Sequence, residues 1–355
     1  MRRRSRRSPR SGARTAGCSA PTLGRTRSPE ISSITIAGIG VAPGSARAYF
    51  GLQAVLGALW WVGVFTTDSL RHATLGDLPA AVIAVADIPL FVLASALVAC
   101  GIRWAVWIVV PWTALVAAGM AVYATATTLA GWGALLMALA AMGSIAAGIV
   151  IVCGRAPVEW IVSGPFAFRT ADDEGRTRLA VRVFRQMLLF WVLFLGVLPL
   201  GISALESRWM LAVDLPVAVR IGGGLLFVAT GALGIWSAVS MLVKGEGTPL
   251  PAHMARHLVI SGPYRYVRNP MAVAGIAQGV AVGLALGSWM VVAYALCGSL
   301  IWNTLVRPQE EADLSARFGA EFDEYRSAVS CWIPRLPKSR RPTVTTSGSS
   351  ASPAP

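Results

Sequence analysis

Eight apolar runs, separated by polar stretches, occupy most of the sequence between residues 49 and 306. A helix needs about 17 to 25 apolar residues to cross the hydrocarbon core of a membrane. Only Gly287 and Ser288 separate the last two runs, which are short, so these two are expected to form a tight helical hairpin. The pattern predicts an all-α, polytopic helical membrane protein with spans at 49–67, 79–100, 104–123, 130–153, 187–205, 221–243, 271–286 and 289–306.

The composition agrees with a membrane protein and excludes two other classes. Of the 355 residues, 55% are hydrophobic and only 14% are charged, whereas soluble domains carry about 25% charged residues. Disorder is excluded for most of the chain, because disordered segments are poor in hydrophobic residues. The chain is therefore expected to lie mainly within a membrane.

The basic residues predict an orientation. The chain has 31 lysines and arginines against 17 acidic residues, an excess that could also indicate nucleic-acid binding. With the N-terminus inside, 28 of the 31 lie on the cytoplasmic side and only Arg71, Arg208 and Arg220 lie outside. Because basic residues in short loops stay cytoplasmic, both termini are expected in the cytoplasm, the protein in the cell membrane, and no nucleic acid as a partner.

The distribution of these features divides the chain into four parts. Residues 1–48 are rich in arginine, serine and proline and are expected to form a disordered cytoplasmic tail, with anionic lipid headgroups as one possible partner. Residues 49–183 contain four spans with no recognisable role. Residues 184–338 carry the remaining spans and the chemistry described below, and residues 339–355 are a low-complexity tail.

Few polar residues inside the spans suggest chemistry. Asp87 is the one acidic residue well inside an apolar run, and such a carboxylate is costly enough to mark a function such as a transport path. The neighbouring Pro89 offers the alternative of a packed, hydrated kink. The five cysteines are scattered and the three histidines are too few for a cluster, so no metal site is predicted.

Glycines in the spans predict close helix packing. In the seventh span, glycine recurs every four residues, which places one small-residue stripe along the helix. Such stripes let helices approach closely within lipid. Three consecutive glycines at 222–224 lie inside an apolar helix pattern rather than after a strand, which excludes a phosphate-binding loop. The stripe consists of Gly275, Gly279, Gly283 and Gly287.

Two cytoplasmic stretches differ from the rest of the chain. Residues 244–270 (KGEGTPLPAHMARHLVISGPYRYVRNP) are too long for a simple connector, and residues 307–338 are predicted to form an amphipathic helix that begins with Glu310 and Glu311. Its buried stripe would contain Leu314, Phe318, Phe322, Tyr325 and Val329. Because the hairpin returns the chain to the same membrane face, the cationic loop and the carboxylate pair are expected to converge around a small zwitterionic ligand.

These blocks resemble the isoprenylcysteine carboxyl methyltransferase and phospholipid methyltransferase superfamily of integral membrane enzymes. The blocks are GEGTPLP, LVISGPYRYVRNP, a helical hairpin, and EEADLSARFGAEFDEYRSAVSCWIPR, in that order. The similarity covers residues 245–335 strongly and extends plausibly to residue 187. It implies S-adenosyl-L-methionine as the cofactor, bound in a pocket on the cytosolic side, and a lipophilic or prenylated acceptor that enters from the lipid.

The resemblance also implies roles for individual residues. Arg268 would bind the methionyl carboxylate of the cofactor, Glu310 and Glu311 would accept from its amine or ribose hydroxyls, and Asn269 would contact the adenine. We expect Arg268, Glu310 and Glu311 to form the catalytic centre. The expected cofactor contacts are Gly245, Gly247, Leu258, Val259, Gly262, Tyr264, Arg268, Asn269, Pro270, Glu310 and Glu311.

The sequence departs from the family pattern and leaves alternatives open. The pattern would put tyrosine at 272 and glycine at 274, where this chain has Ala272 and Ala274. Carboxyl methylation of a prenylated cysteine and N-methylation of a phospholipid headgroup are both compatible with the motifs. An amine acceptor would need a base, for which Glu310, Glu311, His253 or His257 are candidates. A transporter or a non-catalytic membrane scaffold is the alternative of another class.

Overall fold

A computed structural model of the protein describes residues 43–155, 176–245 and 257–334. These ranges are helical and contain no β-strand. Seven of the helices are long and apolar enough to cross a membrane, and the first arm of the predicted hairpin is a shorter apolar helix. The prediction of a polytopic all-α membrane protein is confirmed.

The predicted spans correspond to eight helices, and two short helices accompany them. The eight are α1 (Pro43–Thr66), α3 (Ala80–Ala99), α4 (Arg103–Thr127), α5 (Gly131–Cys153), α6 (Thr177–Arg208), α7 (Val217–Gly245), α8 (Pro270–Leu286) and α9 (Trp289–Phe318). The short ones are α2 (Asp68–Leu75) and α10 (Ala320–Ala328).

Several helices extend beyond the predicted apolar runs. Helix α1 begins at Pro43, so residues 43–48 are helical rather than part of the predicted tail. Helix α6 starts well before residue 187, and the predicted boundary between residues 183 and 184 falls inside it. The apolar pattern marks only the part of a helix that lies in lipid, whereas backbone hydrogen bonding continues into polar flanks. Residues 1–42 of the predicted N-terminal tail and the whole predicted tail at 339–355 lie outside the described residues.

The predicted amphipathic helix at 307–338 is wrong in one respect. Its first part is the end of α9, which runs as one 30-residue helix from the last span through a π-helical turn at Trp302–Val306. Gly319, with a φ of 52°, then ends α9 and separates it from α10. Because this backbone conformation favours glycine, the predicted apolar stripe is interrupted there. Phe322 in α10, at 2% exposure, is the buried anchor after the break.

The glycine stripe allows the hairpin arms to pack closely, as predicted. A Cβ atom on Gly279 would lie 2.8 Å from the Ala295 side chain, and one on Gly283 would lie 2.7 Å from the backbone of Val292. Gly287 ends α8 in a left-handed conformation with a φ of 74°. Helix α7 packs on the other side of α8, where Gly223 faces the α8 backbone. These contacts fix the helix whose first residue is Pro270.

The first four spans form their own core, and Asp87 lies within it. Asp87 is 4% exposed, and its two carboxylate oxygens accept hydrogen bonds from the indole N–H groups of Trp61 and Trp112, each at 2.9 Å. The following residues, Ile88–Leu93, form a π-helical turn that contains Pro89. This arrangement matches the interpretation of Asp87 as a packed kink, because both of its oxygens have partners.

The first four spans contact the later helices at the membrane face opposite Glu310 and Glu311. The Arg208 guanidinium donates to the carbonyls of Thr125 and Ala126, which end α4. The indole of Trp289, at the start of α9, stacks on Trp132 with ring centroids 6.2 Å apart. The two halves are therefore joined around the start of α9, whereas the other end of α9 carries Glu310 and Glu311.

Candidate functional site

The loop between α7 and α8 ends in a compact, buried turn. Gly262–Arg265 form a 3₁₀ turn that buries Pro263 and Tyr264. Gly262 has a φ of 63°, and a Cβ atom there would lie 2.6 Å from the Ser240 hydroxyl on α7. Both facts favour glycine at this position. The GPY motif thus holds Tyr264 against the end of α7.

Helix α10 and the segment after it contact this loop and hold it in place. The backbone N–H of Arg268 donates to the carbonyl of Ser330 at 2.9 Å. The Tyr325 hydroxyl donates to the carbonyl of Tyr264 at 2.6 Å. The side-chain amide of Asn269 lies 3.5 Å from the Cys331 sulfur, a weak hydrogen bond. Residues from the loop before α8 and from the segment that contains α10 therefore meet, as the hairpin geometry predicts.

Arg268 and Glu311 are the charged residues that meet at this junction. Arg268 Nη2 lies 3.4 Å from Glu311 Oε1, and the two side chains are only 13% and 14% exposed. Arg326 of α10 approaches the other carboxylate oxygen, with Nε 3.8 Å from Oε2. Glu311 is thus placed between two guanidinium groups, one buried and one more exposed.

Glu310 and Glu311 do not face the same point. Adjacent residues on an α-helix point in directions about 100° apart, and only Glu311 is ion-paired with Arg268.

Burial raises the pKa of the Tyr264 phenol, and the charge of the nearby Glu310 carboxylate raises that pKa further. Burial also raises the pKa of Tyr325, an effect that Arg268 partly offsets. Both tyrosines therefore remain neutral hydrogen-bonding groups at physiological pH.

Several buried polar atoms at this junction have no hydrogen-bond partner among the described residues. They are Nε and Nη1 of Arg268, Oε1 of Glu311 and Nε of Arg307. Buried polar atoms without partners are rare because each one costs free energy, about 1–3 kcal/mol. A ligand with a carboxylate and an ammonium group would supply partners for both Arg268 and Glu311.

A cleft of about 600 Å³ adjoins Glu311 on the outer side of α9. Successive turns of α9 form most of its wall, and α10 contributes Arg326. Small side chains leave the space open between the charged ones. The cleft is lined by Arg307, Pro308, Glu311, Ala312, Ser315, Ala316 and Arg326.

The other predicted contacts are placed as follows. Gly245 is buried at the end of α7 and accepts a backbone hydrogen bond from His257 at 3.4 Å. Val259 is buried and Leu258 is half-buried. Pro270 is the buried first residue of α8. Gly247 and His253 lie outside the described residues.

The departures from the family pattern have a structural counterpart. Ala274 is 1% exposed and lies against Gly234 of α7, where a Cβ atom on the glycine would be 3.6 Å from the alanine methyl. A Cβ atom on Gly275 would lie 3.5 Å from the ring of Phe190 on α6. The family pattern has glycine at position 274, and Ala274 in this chain is still small enough for α7 and α8 to pack closely there.

Sequence reasoning missed the two arginines of the cleft. Arg307 precedes Glu311 by four residues, a spacing that brings side chains together on a helix, and this was the available signal for it. Arg326 lies on a separate helix, and only the break at Gly319 brings it to the same side. Among the described residues, no group of three or more histidines, cysteines or acidic residues could hold a metal ion.

A comparison with known protein families gives a match that includes this region. Residues 219–321 match the family described as phospholipid methyltransferase. The match runs from α7 through the hairpin to the start of α10, and it confirms the resemblance for this part of the chain. No curated protein and no solved structure matches the chain.

Proposed function

We propose that the membrane methyltransferase carried by residues 219–321 uses S-adenosyl-L-methionine and methylates a lipophilic acceptor at the membrane surface. The family match supports a methyltransferase in a membrane. The observation that carries the proposal is the buried Arg268–Glu311 pair, whose unpartnered donors and acceptor suit a carboxylate and an ammonium group. These two groups occur together in the methionyl part of the proposed cofactor.

The residues present fit this cofactor. Arg268 would donate to its carboxylate from a buried guanidinium, where charge-assisted hydrogen bonds are strongest. Glu311 would accept from its ammonium group. Tyr264 and Glu310 lie near each other at the same junction and are proposed to contact the ribose hydroxyls. Further contacts are proposed from Gly245, Gly247, Leu258, Val259, Gly262, Asn269 and Pro270.

When bound, the cofactor would supply an electrophilic methyl group on a sulfonium sulfur, and this sulfur would be released as a neutral thioether while the acceptor's lone pair forms the new bond to the methyl carbon. The chain's own residues bind and orient the reactants and exclude water, which is most of what such a transfer needs. For an amine acceptor, a base must first remove a proton from the ammonium form. Glu310 is the proposed base, because its carboxylate lies close to the buried Tyr264 and is not ion-paired with Arg268 as Glu311 is.

Two acceptor classes remain within this proposal. The family description favours a phospholipid headgroup amine, whereas the motifs also suit carboxyl methylation of a prenylated cysteine. Transport is less well supported, because both oxygens of Asp87 are engaged by indole N–H groups. We also propose that residues 184–338 form the methyltransferase region and that the site faces the cytoplasm, with both termini inside.

The decisive test is binding of S-adenosyl-L-methionine to the purified full-length protein in nanodiscs. Wild type should bind saturably, and both Arg268→Ala and Glu311→Gln should lose affinity by at least about tenfold, because each removes a charge-assisted contact. Arg265→Ala is the matched control, since Arg265 belongs to the same loop but is exposed and lies over the Tyr266 ring. Absence of binding by folded wild type, or equal loss in the control, contradicts the proposal.

A further inference from the structure

Helix α6 begins with a stripe of basic residues. Arg178, Arg182 and Arg185 recur at intervals of four and three residues, a spacing that places them on one face of the helix. From residue 186 to residue 205 the helix has no charged side chain. The basic stripe therefore ends where the apolar part of α6 starts.

The length of α6 places this stripe at the level of the lipid headgroups. Arg185 and Arg208, at the two ends of the apolar part, are 23 positions apart, which corresponds to about 34 Å along the helix axis. The hydrocarbon core of a membrane is about 30 Å thick, and a headgroup layer of about 5–8 Å covers it on each side. Arg185 and Arg182 therefore lie in the headgroup layer, and Arg178 lies about one turn farther out.

The stripe lies on the side of α6 that faces away from the other helices. Leu179 and Val183 form the packed side and are only 6% and 5% exposed. Arg178 and Arg185 are exposed, and Leu189, one turn after Arg185, is 65% exposed. Exposed arginines next to an exposed apolar surface match the two parts of a phospholipid, its charged headgroup and its acyl chains.

Arg178 and Arg185 have no acidic partner among the described residues. The ion pairs found there join other side chains. The acidic residue that the described part of α6 contains is Glu206, which lies near the other end of the helix and accepts from the Ser288 hydroxyl. Both guanidinium groups are thus able to bind an anion, and a planar guanidinium matches the oxygens of a phosphate.

The basic stripe is on the same membrane face as the candidate site. A Cβ atom on Gly275 would lie 3.5 Å from the ring of Phe190, one turn after the stripe, and Gly275 follows Pro270, the first residue of α8, by five positions. The other end of α6 contacts α4 through Arg208 and the hairpin turn through Glu206. The helix that carries the stripe therefore also packs against α8 near the site.

We propose that Arg178 and Arg185 bind the headgroup phosphate of an anionic phospholipid from this leaflet, with its acyl chains along the exposed side of α6 at Leu189. Arg182 adds positive charge to the same stripe. The lipid is a bound ligand and not a methyl acceptor, because it lies on the outer side of α6. The inference goes beyond the proposed function and does not depend on it.

Lipid binding to the full-length protein in an uncharged detergent tests this, measured by native mass spectrometry. The probes are phosphatidylglycerol, which is anionic and has no amine to methylate, and zwitterionic phosphatidylcholine with the same acyl chains. Wild type should bind phosphatidylglycerol at least about tenfold more tightly. A basic residue near an anionic surface contributes about fivefold in affinity, so Arg178→Gln and Arg185→Gln should each lose about fivefold and the double variant about 25-fold, with phosphatidylcholine binding unchanged.

Two controls test the charge and the location. Arg178→Lys combined with Arg185→Lys keeps both charges and should stay within about threefold of wild type. Arg71→Gln should bind phosphatidylglycerol like wild type, because Arg71 lies on α2 at the opposite membrane face and pairs with Asp68. Binding of S-adenosyl-L-methionine should stay within about threefold of wild type in the double glutamine variant. Failure of wild type to bind that cofactor would contradict the proposed function, whereas the lipid comparison would still report on the stripe.

Three results would overturn the inference. The first is equal affinity of wild type for the two lipids. The second is a loss in the double lysine variant as large as in the double glutamine variant, which would attribute the effect to packing rather than to charge. The third is a preference for phosphatidylglycerol that appears only after Asp172→Asn, Asp173→Asn and Glu174→Gln are combined. These acidic residues precede α6 in the sequence, and that result would show that they, and not a lipid, occupy the stripe.

Discussion

The three consecutive glycines of α7 provide a sharp test of the packing beneath the site. Gly223 faces α8, and a Cβ atom added there would lie 2.6 Å from the backbone nitrogen of Ala285 and 2.8 Å from the carbonyl oxygen of Ala281. Ordinary contacts begin at 3.4 Å. Because both neighbours are backbone atoms, no side chain can rotate away, and the two helices must separate. At Gly222 and Gly224, no described residue lies within 4 Å of such an atom.

Gly223→Ala should therefore destabilise the protein, whereas Gly224→Ala should not. Overpacking of a close contact typically costs about 1–3 kcal/mol. Alanine in a helix gains up to about 1 kcal/mol over glycine, so Gly224→Ala is expected to leave stability unchanged or to increase it. The two substitutions add the same methyl group to adjacent residues, which makes each a control for the other.

The measurement is thermal unfolding in a mild detergent, followed by tryptophan fluorescence, together with binding of S-adenosyl-L-methionine. Gly223→Ala should melt below wild type and bind the cofactor more weakly, because α8 carries the residues that follow Arg268. Gly222→Ala should behave like Gly224→Ala. If Gly223→Ala melts at or above the temperature of Gly224→Ala, the close α7–α8 contact described above is refuted.

Two further substitutions test the role of Asp87 and the tether of the site loop. Asp87→Asn leaves one acceptor oxygen for the two indole donors of Trp61 and Trp112, so it should lower the free energy of unfolding by about 1–3 kcal/mol. Thermal unfolding measures this change. A variant as stable as wild type, or one that is fully folded but loses cofactor binding, contradicts a structural role for Asp87. Tyr325→Phe removes the hydroxyl that donates to the Tyr264 carbonyl at 2.6 Å. Because this hydrogen bond holds a loop, its loss should weaken cofactor binding several-fold and change the melting temperature little. Unchanged affinity in a binding titration would show that the loop does not need this hydrogen bond.

The candidate site could be predicted only in part from the sequence. Arg268 and Glu311 were found because a hairpin must return the chain to the same membrane face, and the structure places them 3.4 Å apart. That Glu311 rather than Glu310 forms the ion pair with Arg268 is not predictable from the sequence. It depends on how α9 is rotated against the loop, which is set by packing around the hairpin and by the π-helical turn at Trp302–Val306.

The sequence by itself determined the membrane character, the eight apolar helices and the meeting of residues 244–270 with residues 307–338. These follow from hydrophobic burial in lipid and from chain connectivity, both of which are local properties. The tertiary structure decided that Gly319 ends α9 and that Arg326 consequently reaches Glu311. It also decided that, of the glycines at 222–224, only the middle one touches another of the described helices. Such details depend on the relative rotation of packed helices, because a helix has several faces and composition alone does not specify which one meets a partner.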